Sequence, residues 1–211
     1  VAALAIVMEL LGGETLGDAL MKRGKLPLEE TLDVMIPVLS ALAHAHRAGV
    51  VHRDIKPDNV FLAKDPDGHV IPKVLDFGIS KLQGDKAQLT NDGVMLGTPS
   101  FMSPEQARGA SKVDARSDVF SAAIMMVMML SGKNPFDDES FHAVVSAILV
   151  REVERVPEAP DALWEVISRA LAKEPAARYA DATEFGIAVR KAAGRQVITE
   201  TGMRPVFDSV V

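Results

Sequence analysis

The sequence predicts an α+β fold in which helices predominate. Amphipathic spacing from Leu28 to Ala48 and a nearly all-apolar stretch from Asp118 to Leu130 both indicate helices. Between them, two short apolar segments flank Asp65-Pro66-Asp67-Gly68, a sequence typical of the turn in a strand hairpin. One buried helix, one amphipathic helix and a small hairpin together indicate a helical domain carrying a small sheet.

Composition restricts the classes of function. The 211 residues suffice for one large domain or two small ones, and a content of 48% hydrophobic and 25% charged residues is typical of a globular protein. The net charge of −6 argues against non-specific binding to nucleic acid or anionic membranes. The absence of cysteine excludes disulfides, thiolate chemistry and Cys-ligated zinc. The longest apolar run, Val119 to Leu130, is too short for a typical membrane span.

The N-terminal part predicts a strand followed by two helices. Val1 to Leu11 is apolar apart from one glutamate and is bounded by Gly12-Gly13, which favours a buried strand. Thr15 to Met21 predicts a short helix, and Leu28 to Ala48 predicts a long one. Pro37 lies inside the long helix, where proline removes a hydrogen bond, so we expect a kink near it.

The remaining elements follow the same reasoning. Val60 to Ala63 and His69 to Leu75 predict two strands, and Pro72 restricts the second to an edge or irregular position. The polar stretch that ends near Gly97 predicts a loop longer than compact domains usually contain, which favours a functional segment. Further amphipathic helices are predicted at Phe141 to Val153, Ala162 to Ala172 and Ala182 to Ala193. Periodicity fades from Gly194, which predicts a tail or linker.

The most unusual stretch is His52–Asn59, which carries four charged residues, a histidine and an asparagine. It lies between the apolar segments Val50-Val51 and Val60–Leu62. Burying charged side chains costs free energy unless they are paired, hydrogen-bonded or bound to a metal. Because Pro57 fixes its own backbone and restricts Lys56, the stretch predicts a rigid loop. Such a loop suits a site for a charged, metal-bound substrate.

Three motifs occur in a fixed order along the chain. His52-Arg53-Asp54 with Asn59 comes first, Asp76-Phe77-Gly78 second and Ser103-Pro104-Glu105 third. Their order and spacing match the catalytic loop, metal-binding triplet and activation-segment end of protein kinases. Over roughly residues 4–193, the chain resembles the C-terminal lobe of a bacterial Hanks-type serine/threonine protein kinase. The resemblance implies a protein-kinase-like fold that includes the hinge strand and the mainly helical C-lobe.

The resemblance also implies the domain organisation. Residues 1–193 would form the C-lobe part of a protein kinase catalytic domain, and residues 194–211 would form a tail or linker. Bacterial relatives often continue into a juxtamembrane linker and a membrane span, and the tail is compatible with that arrangement. We expect the catalytic domain itself to be cytoplasmic.

The family assigns catalytic roles to specific positions and implies ATP and Mg²⁺ as cofactors. Asp54 would accept or orient the proton of the substrate hydroxyl, while Asn59 and Asp76 would bind Mg²⁺ through hard oxygen ligands. Lys56 resembles the lysine that steadies the transferred phosphate. Thr98 resembles the threonine that links Asp54 and Lys56 beneath the incoming hydroxyl. Lys56 and Thr98 together favour serine or threonine over tyrosine as the acceptor in protein substrates.

Other positions resemble structural supports. His52 and Phe77 would pack in the internal hydrophobic spine, and Asp118 would accept backbone N–H groups of the catalytic loop. Glu105 and Arg178 resemble the buried ion pair that anchors the activation segment to the late helices.

Regulation and adenine binding are implied at both ends of the lobe. Arg53 directly precedes Asp54, where an arginine can pair with a phosphate on the activation loop, and Thr90 is the best-placed acceptor for that phosphate. Asp92, two residues later, would supply part of the same charge permanently. Glu9 and Leu11 would bind adenine through their backbone in the hinge.

The chain departs from the family pattern in lacking three parts of the N-lobe. No Gly-rich loop, strand lysine or paired helix glutamate precedes the hinge, and these parts supply much of the nucleotide site. Either the intact protein contains them, or the gene product is a half-kinase; the abrupt start at Val1 favours the first interpretation. We therefore expect the missing N-lobe to be a partner of this lobe, and the 211 residues alone to be inactive.

Two other functions fit part of the pattern. A small-molecule phosphotransferase has similar metal chemistry, but Lys56, Thr98 and the Glu105–Arg178 pair argue for a platform that binds protein substrates. A pseudokinase or scaffold is disfavoured by the complete set of Asp54, Asn59 and Asp76. The coding sequence upstream of Val1 discriminates best, because a Gly-rich loop and strand lysine there would support a kinase.

Overall fold

The computed structural model describes residues 9–77, 99–110 and 113–196. It confirms the predicted α+β class, with a small sheet at one end of a mainly helical body. The strands are β1 (Gly13–Thr15), β2 (Val60–Lys64) and β3 (Val70–Val74). The helices are α1 (Leu16–Arg23), α2 (Leu28–Arg47), α3 (Pro104–Ala107), α4 (Ala115–Ser131), α5 (Phe141–Val150), α6 (Asp161–Ala170) and α7 (Ala182–Ala192).

The predicted hairpin is confirmed. The strands pair antiparallel in the order β1-β2-β3, so Pro72 lies in an edge strand, opposite Leu62. The turn closes with a hydrogen bond of 3.0 Å from Gly68 N to Asp65 O. Gly68 has a φ of 85°, which a glycine adopts at little cost.

The first strand differs from its prediction. The prediction of a strand over Val1–Leu11 is wrong for residues 9–11, which form no strand. Residues 1–8 lie outside the described residues. Instead β1 begins at Gly13, where φ is 144° and an added Cβ would lie 2.1 Å from Leu62 O. Gly13, which the sequence places after the end of a strand, therefore begins one, because only glycine permits so close an approach to β2.

Helices α1 and α2 form where their sequences predict them. Thr15 caps α1 and forms a capping box with Asp18. Helix α2 runs without a break through Pro37, and the kink expected there remains a prediction. Its end is followed by Gly49, whose φ of 76° turns the chain toward the His52–Asn59 loop.

Helix α4 lies at the centre of the lobe and is buried along nearly its whole length, as its apolar sequence predicts. It is capped by Asp114, so it begins three residues before the predicted start at Asp118. Helix α2 packs against both α4 and α7, and α6 packs against α4. Phe120 of α4 stacks on Phe136 with ring centroids 5.8 Å apart. The central helix thus gives the site a rigid base.

The segment that follows α7 also contacts the rest of the lobe. Arg195 lies past the predicted domain boundary, and its guanidinium is within 2.6 Å of Glu29 Oε2 and 2.5 Å of Asp33 Oδ1. Both carboxylates belong to the first turns of α2. Within the described ranges, none of the helices combines the length and apolarity that crossing a bilayer requires.

Lys173, in the connection after α6, is a partly buried ammonium among aromatic rings. Its Nζ lies 4.4 Å from the centroid of the Phe136 ring and donates to Ile148 O at 2.9 Å. The pKa of Lys173 is lowered to about 8, mainly by burial; the charge of Glu152 opposes the shift, and the charge of Arg178 adds to it. The ammonium therefore connects the end of α5 to the stacked rings of Phe120 and Phe136.

This pKa predicts how the stability of the chain depends on pH. Between pH 8 and pH 10, folded Lys173 loses its proton while the unfolded chain, with an ordinary pKa of 10.5, keeps it. Because the unfolded state then binds more protons, the free energy of unfolding rises with pH over this window. From pH 8 to pH 10, the free energy of unfolding of the wild type, measured in urea, should rise by about 1 kcal/mol relative to that of Lys173→Met. Lys133→Met, at an exposed lysine, should follow the wild type; equal slopes in all three proteins would contradict the prediction.

Candidate active site

The loop between α2 and β2 alternates buried and accessible side chains. Ile55 and Pro57 are buried, so Asp54 and Asp58 are directed to the surface while Lys56 is partly covered. Pro57–Asn59 forms a 3₁₀ turn, closed by a 3.0 Å hydrogen bond from Asn59 N to Lys56 O. The two apolar anchors and the turn hold the polar side chains in fixed relative positions, in agreement with the rigid loop that the sequence predicts.

Asp54, Lys56 and Asn59 form a single cluster. Asp54 Oδ2 accepts hydrogen bonds from Lys56 Nζ at 2.8 Å and from Asn59 Nδ2 at 3.0 Å. Asn59 Nδ2 also donates to the backbone oxygen of Asp54 at 2.7 Å. Both side-chain contacts use Oδ2, and within the described residues Oδ1 makes no hydrogen bond. The Asp54 side chain is 51% exposed, so the carboxylate lies at the surface of the loop.

Asp76 follows the end of β3 and is held beside Asn59 through the backbone. Leu75 N donates to Asn59 O at 2.9 Å, which places the next residue, Asp76, at the same edge of the loop. Asp76 is exposed and has a φ of 55°, a backbone conformation uncommon outside glycine. Its carboxylate and the Asn59 amide oxygen thus lie on neighbouring segments.

His52 is fully buried and supports the loop from below. Its Nε2 lies 2.7 Å from Leu75 O, and its Nδ1 lies 3.3 Å from Asp54 N. A carbonyl only accepts and a backbone N–H only donates, so His52 is the neutral tautomer with its proton on Nε2. The ring also packs against Phe77 at a centroid distance of 4.9 Å. His52 therefore joins the His52–Asn59 loop to the segment that carries Asp76.

Asp118 of α4 holds the start of the loop. Its two carboxylate oxygens accept the backbone N–H groups of His52 and Arg53, each at 2.8 Å. A third bond of 2.8 Å comes from His46 Nε2, whose other ring nitrogen accepts Ala182 N at 3.2 Å. The buried carboxylate thus receives three donors, and His46 extends the network to the first residue of α7.

Arg53 adopts a strained backbone between these supports. Its φ of 70° lies in the left-handed region, which costs roughly 1–3 kcal/mol for a residue other than glycine. Asp118 binds its N–H, and Gln106 Nε2 donates to its carbonyl oxygen at 2.8 Å. Its Nε is buried and has no hydrogen-bond partner among the described residues.

Glu105 and Arg178 meet in a bidentate pair. Arg178 Nη1 and Nη2 each donate to a carboxylate oxygen of Glu105 at 2.9 Å, and Ser117 Oγ also donates to it. The remaining guanidinium N–H groups donate to backbone oxygens of Ala172, Arg116 and Lys173. Burial acts to raise the pKa of Glu105, but the hydrogen bonds from Arg178 and Ser117 outweigh it and hold that pKa below its ordinary value.

The segment before α3 is held by two buried polar side chains that the sequence analysis did not identify. Asn134 Nδ2 donates to Ser100 Oγ at 3.1 Å, while its Oδ1 accepts Phe136 N at 2.9 Å. Ser121 Oγ of α4 donates to Phe101 O at 2.7 Å. The chain that leads into α3 is therefore fixed to the lobe at successive residues.

Not every predicted site residue falls in this cluster. Thr90 and Thr98 lie outside the described residues. Glu9 is exposed and forms an ion pair with Lys73 of β3, and Leu11 is partly buried. The described contacts therefore do not test the predicted roles of these four positions.

The available ligands fit a hard divalent cation. Asn59 uses its Nδ2 on Asp54, which leaves its amide oxygen free of hydrogen bonds within the described ranges. Asp76 adds an exposed carboxylate. Carbonyl and carboxylate oxygens are the ligands that Mg²⁺ prefers. Asn59 and Asp76 could therefore hold a magnesium ion.

Comparison with known protein families identifies the fold. The family model described as a protein kinase domain matches residues 2–186. The chain belongs to the protein kinase domain family. This membership confirms the predicted kinase-like fold and explains why the three motifs occur in this order.

Individual kinases match over most of the chain. The serine/threonine-protein kinase PknL of Mycobacterium tuberculosis is 40% identical over 185 residues, covering 86% of this chain and 45% of PknL. A probable serine/threonine-protein kinase PknB of Bifidobacterium longum is 39% identical, covering 85% and 26%. The serine/threonine-protein kinase pkn3 of Myxococcus xanthus is 38% identical, covering 87% and 35%. The chain thus spans less than half the length of these curated relatives.

Proposed function

We propose that this chain forms the C-lobe of a serine/threonine protein kinase, which transfers the γ-phosphoryl group of ATP to hydroxyls of protein substrates. The observation that carries the proposal is the cluster on Asp54, where an ammonium and an amide bind one oxygen of a half-exposed carboxylate. The similarity to named serine/threonine kinases supports it.

The residues of the cluster would divide the reaction between them. A serine or threonine hydroxyl positioned at Asp54 Oδ1 attacks the γ-phosphorus; the new P–O bond forms as the bond to the departing ADP breaks. Asp54 takes the hydroxyl proton. Lys56, already paired with Asp54, stabilises negative charge on the transferred group. Magnesium bound by Asn59 and Asp76 would neutralise charge on the phosphates.

Hydrogen bonds explain why Asp54 is preorganised for this role. Lys56 and Asn59 fix the rotation of its carboxylate, and His52 and Gln106 fix its backbone. Positioning and electrostatic stabilisation supply most of the catalysis in phosphoryl transfer, so a fixed carboxylate matters more than a strongly basic one.

We further propose a regulatory role for Arg53 and a location on the cytoplasmic side, where ATP is available. The buried Nε of Arg53 has no hydrogen-bond partner among the described residues, and a phosphate on Thr90 would supply one. In this proposal Thr98 would support the substrate hydroxyl, and the backbone at Glu9 and Leu11 would bind adenine.

The test is phosphoryl transfer by the full-length gene product. We expect it to label casein with phosphate from Mg-ATP, while the 211-residue chain alone labels nothing and binds Mg-ATP weakly. A pseudokinase would give no transfer with either protein, and a small-molecule phosphotransferase would label aminoglycosides or choline in place of casein. Transfer by the 211-residue chain itself would contradict the expectation that a complete nucleotide site needs an N-lobe.

A further inference from the structure

Gln106 lies in α3, outside the catalytic loop, yet its side chain reaches the backbone of that loop. Its Nε2 donates to Arg53 O at 2.8 Å. Its Oε1 accepts Ser103 N at 3.0 Å and Ser103 Oγ at 3.1 Å. Since Ser103 N only donates and Arg53 O only accepts, the two partners fix the orientation of the amide.

The Arg53 carbonyl belongs to the peptide unit that joins Arg53 to Asp54. The N–H of the same unit donates to His52 Nδ1 at 3.3 Å. Gln106 thus holds the oxygen of this peptide plane, and His52 holds its nitrogen. Because the Cα of Asp54 is part of the plane, an uncompensated rotation about the Arg53 Cα–C bond would displace the Asp54 side chain.

The strain at Arg53 makes this support necessary. A left-handed conformation at a residue other than glycine persists only where the surroundings hold it. Asp118 holds the peptide unit before Arg53, and Gln106 holds the unit after it. The two supports come from different elements, α4 and α3.

Neighbouring side chains of α3 point to different parts of the lobe. Glu105 binds Arg178, which fixes α3 to the chain before α7. Gln106 binds Arg53, which connects α3 to the catalytic loop. A displacement of α3 would therefore reach the peptide plane of Asp54 through one side chain.

We propose that Gln106 is a positioning residue for Asp54, which couples the placement of α3 to the orientation of the catalytic carboxylate. The inference rests on the proposed kinase function. It predicts that loss of the single donor Nε2 lowers kcat under conditions where the lobe remains folded.

Gln106→Glu separates the two contacts of this side chain. Glutamate keeps an oxygen for Ser103 N, and glutamate at this position of a capping box is as suitable as glutamine. It loses the donor to Arg53 O and places a carboxylate against that carbonyl. In the full-length protein we expect kcat to fall about 10- to 100-fold, because small misplacements of reacting groups have effects of that size. The KM for ATP should stay close to wild type, and the melting temperature should fall less than in Gln106→Met, which also loses the helix cap.

The pH profile gives a signature that a structural role would not. As pH falls from 8 to 5.5, a growing fraction of the new carboxyl group is protonated and again donates to Arg53 O. The kcat of Gln106→Glu relative to wild type should therefore rise. Gln106→Met, which has a similar size but no polar atom for either contact, should lose kcat at every pH and also lose stability through the helix cap.

Amide hydrogen exchange in the 211-residue chain provides a readout that does not need activity. The Asp54 N–H should exchange at least tenfold faster in Gln106→Glu than in wild type. A wild-type kcat, or a loss of kcat only in Gln106→Met, would overturn the inference while leaving the kinase function intact. An inactive wild type would overturn the proposed function, and unchanged exchange at Asp54 would then overturn the inference separately.

Discussion

Replacing Asp54 with asparagine in the full-length protein is expected to lower kcat by about 10²–10⁴-fold, the contribution typical of a general base. Asparagine has nearly the same shape but cannot take the proton of the substrate hydroxyl. The substitution also removes the negative charge that pairs with Lys56. Steady-state kinetics with casein and Mg-ATP measure the effect, and the KM for ATP should change little because Asp54 does not bind the nucleotide in our proposal.

The matched control for this variant is Asp67→Asn. It removes the same charge from an exposed residue in the turn between β2 and β3, and should leave kcat within about twofold of wild type. Since the Asp54 side chain is half exposed, Asp54→Asn should unfold within about 0.5 kcal/mol of wild type. An Asp54→Asn protein that retains more than a fifth of the wild-type kcat would show that another group accepts the proton.

Replacing Arg178 with methionine is expected to destabilise the 211-residue chain by about 3–5 kcal/mol. The change leaves Glu105 buried with Ser117 as its side-chain donor, and it removes donors from three backbone oxygens. It also removes a guanidinium that lies 4.7 Å from the centroid of the Phe120 ring. Urea unfolding followed by circular dichroism measures the loss.

Two comparisons connect this loss to the ion pair. The double variant Glu105→Leu/Arg178→Met should be more stable than Arg178→Met alone, because it no longer buries an unpaired carboxylate. The difference between wild type and Arg178→Met should shrink as pH falls below about 4.5, since the pKa of Glu105 is lowered in the folded chain and its contribution is lost on protonation. A loss below about 1 kcal/mol at pH 7 would contradict the account.

The sequence predicts most of the helices because each helix contains its own apolar spacing or capping residues. Asp181 accepts from Thr183 N and Glu184 N at the start of α7, as its position before the apolar pattern indicates. The first strand could not be placed in the same way. Gly13 begins β1 because its backbone approaches Leu62, and that residue is distant in sequence.

The same distinction holds for the site. Asp54, Asn59 and Asp76 each belong to a short motif of consecutive residues, so a family resemblance identifies them. Their roles remain proposals. The supports are contacts between distant residues: Gln106 and Arg53 are 53 positions apart, and His46 and Asp118 are 72 apart. Sequence spacing places His46 only on the buried face of α2. The Ser103–Gln106 spacing signals a helix cap but carries no information about Arg53.

In our proposal, the Asp54–Lys56–Asn59 cluster transfers phosphate to serine and threonine hydroxyls. The most direct test offers the full-length protein three peptides that are identical except for serine, threonine or tyrosine at the acceptor position. We expect Mg-ATP-dependent phosphorylation of the serine and threonine peptides, at rates at least 100-fold above the tyrosine peptide. Faster phosphorylation of the tyrosine peptide, or labelling of none of the three alongside transfer to a small molecule, would contradict the account.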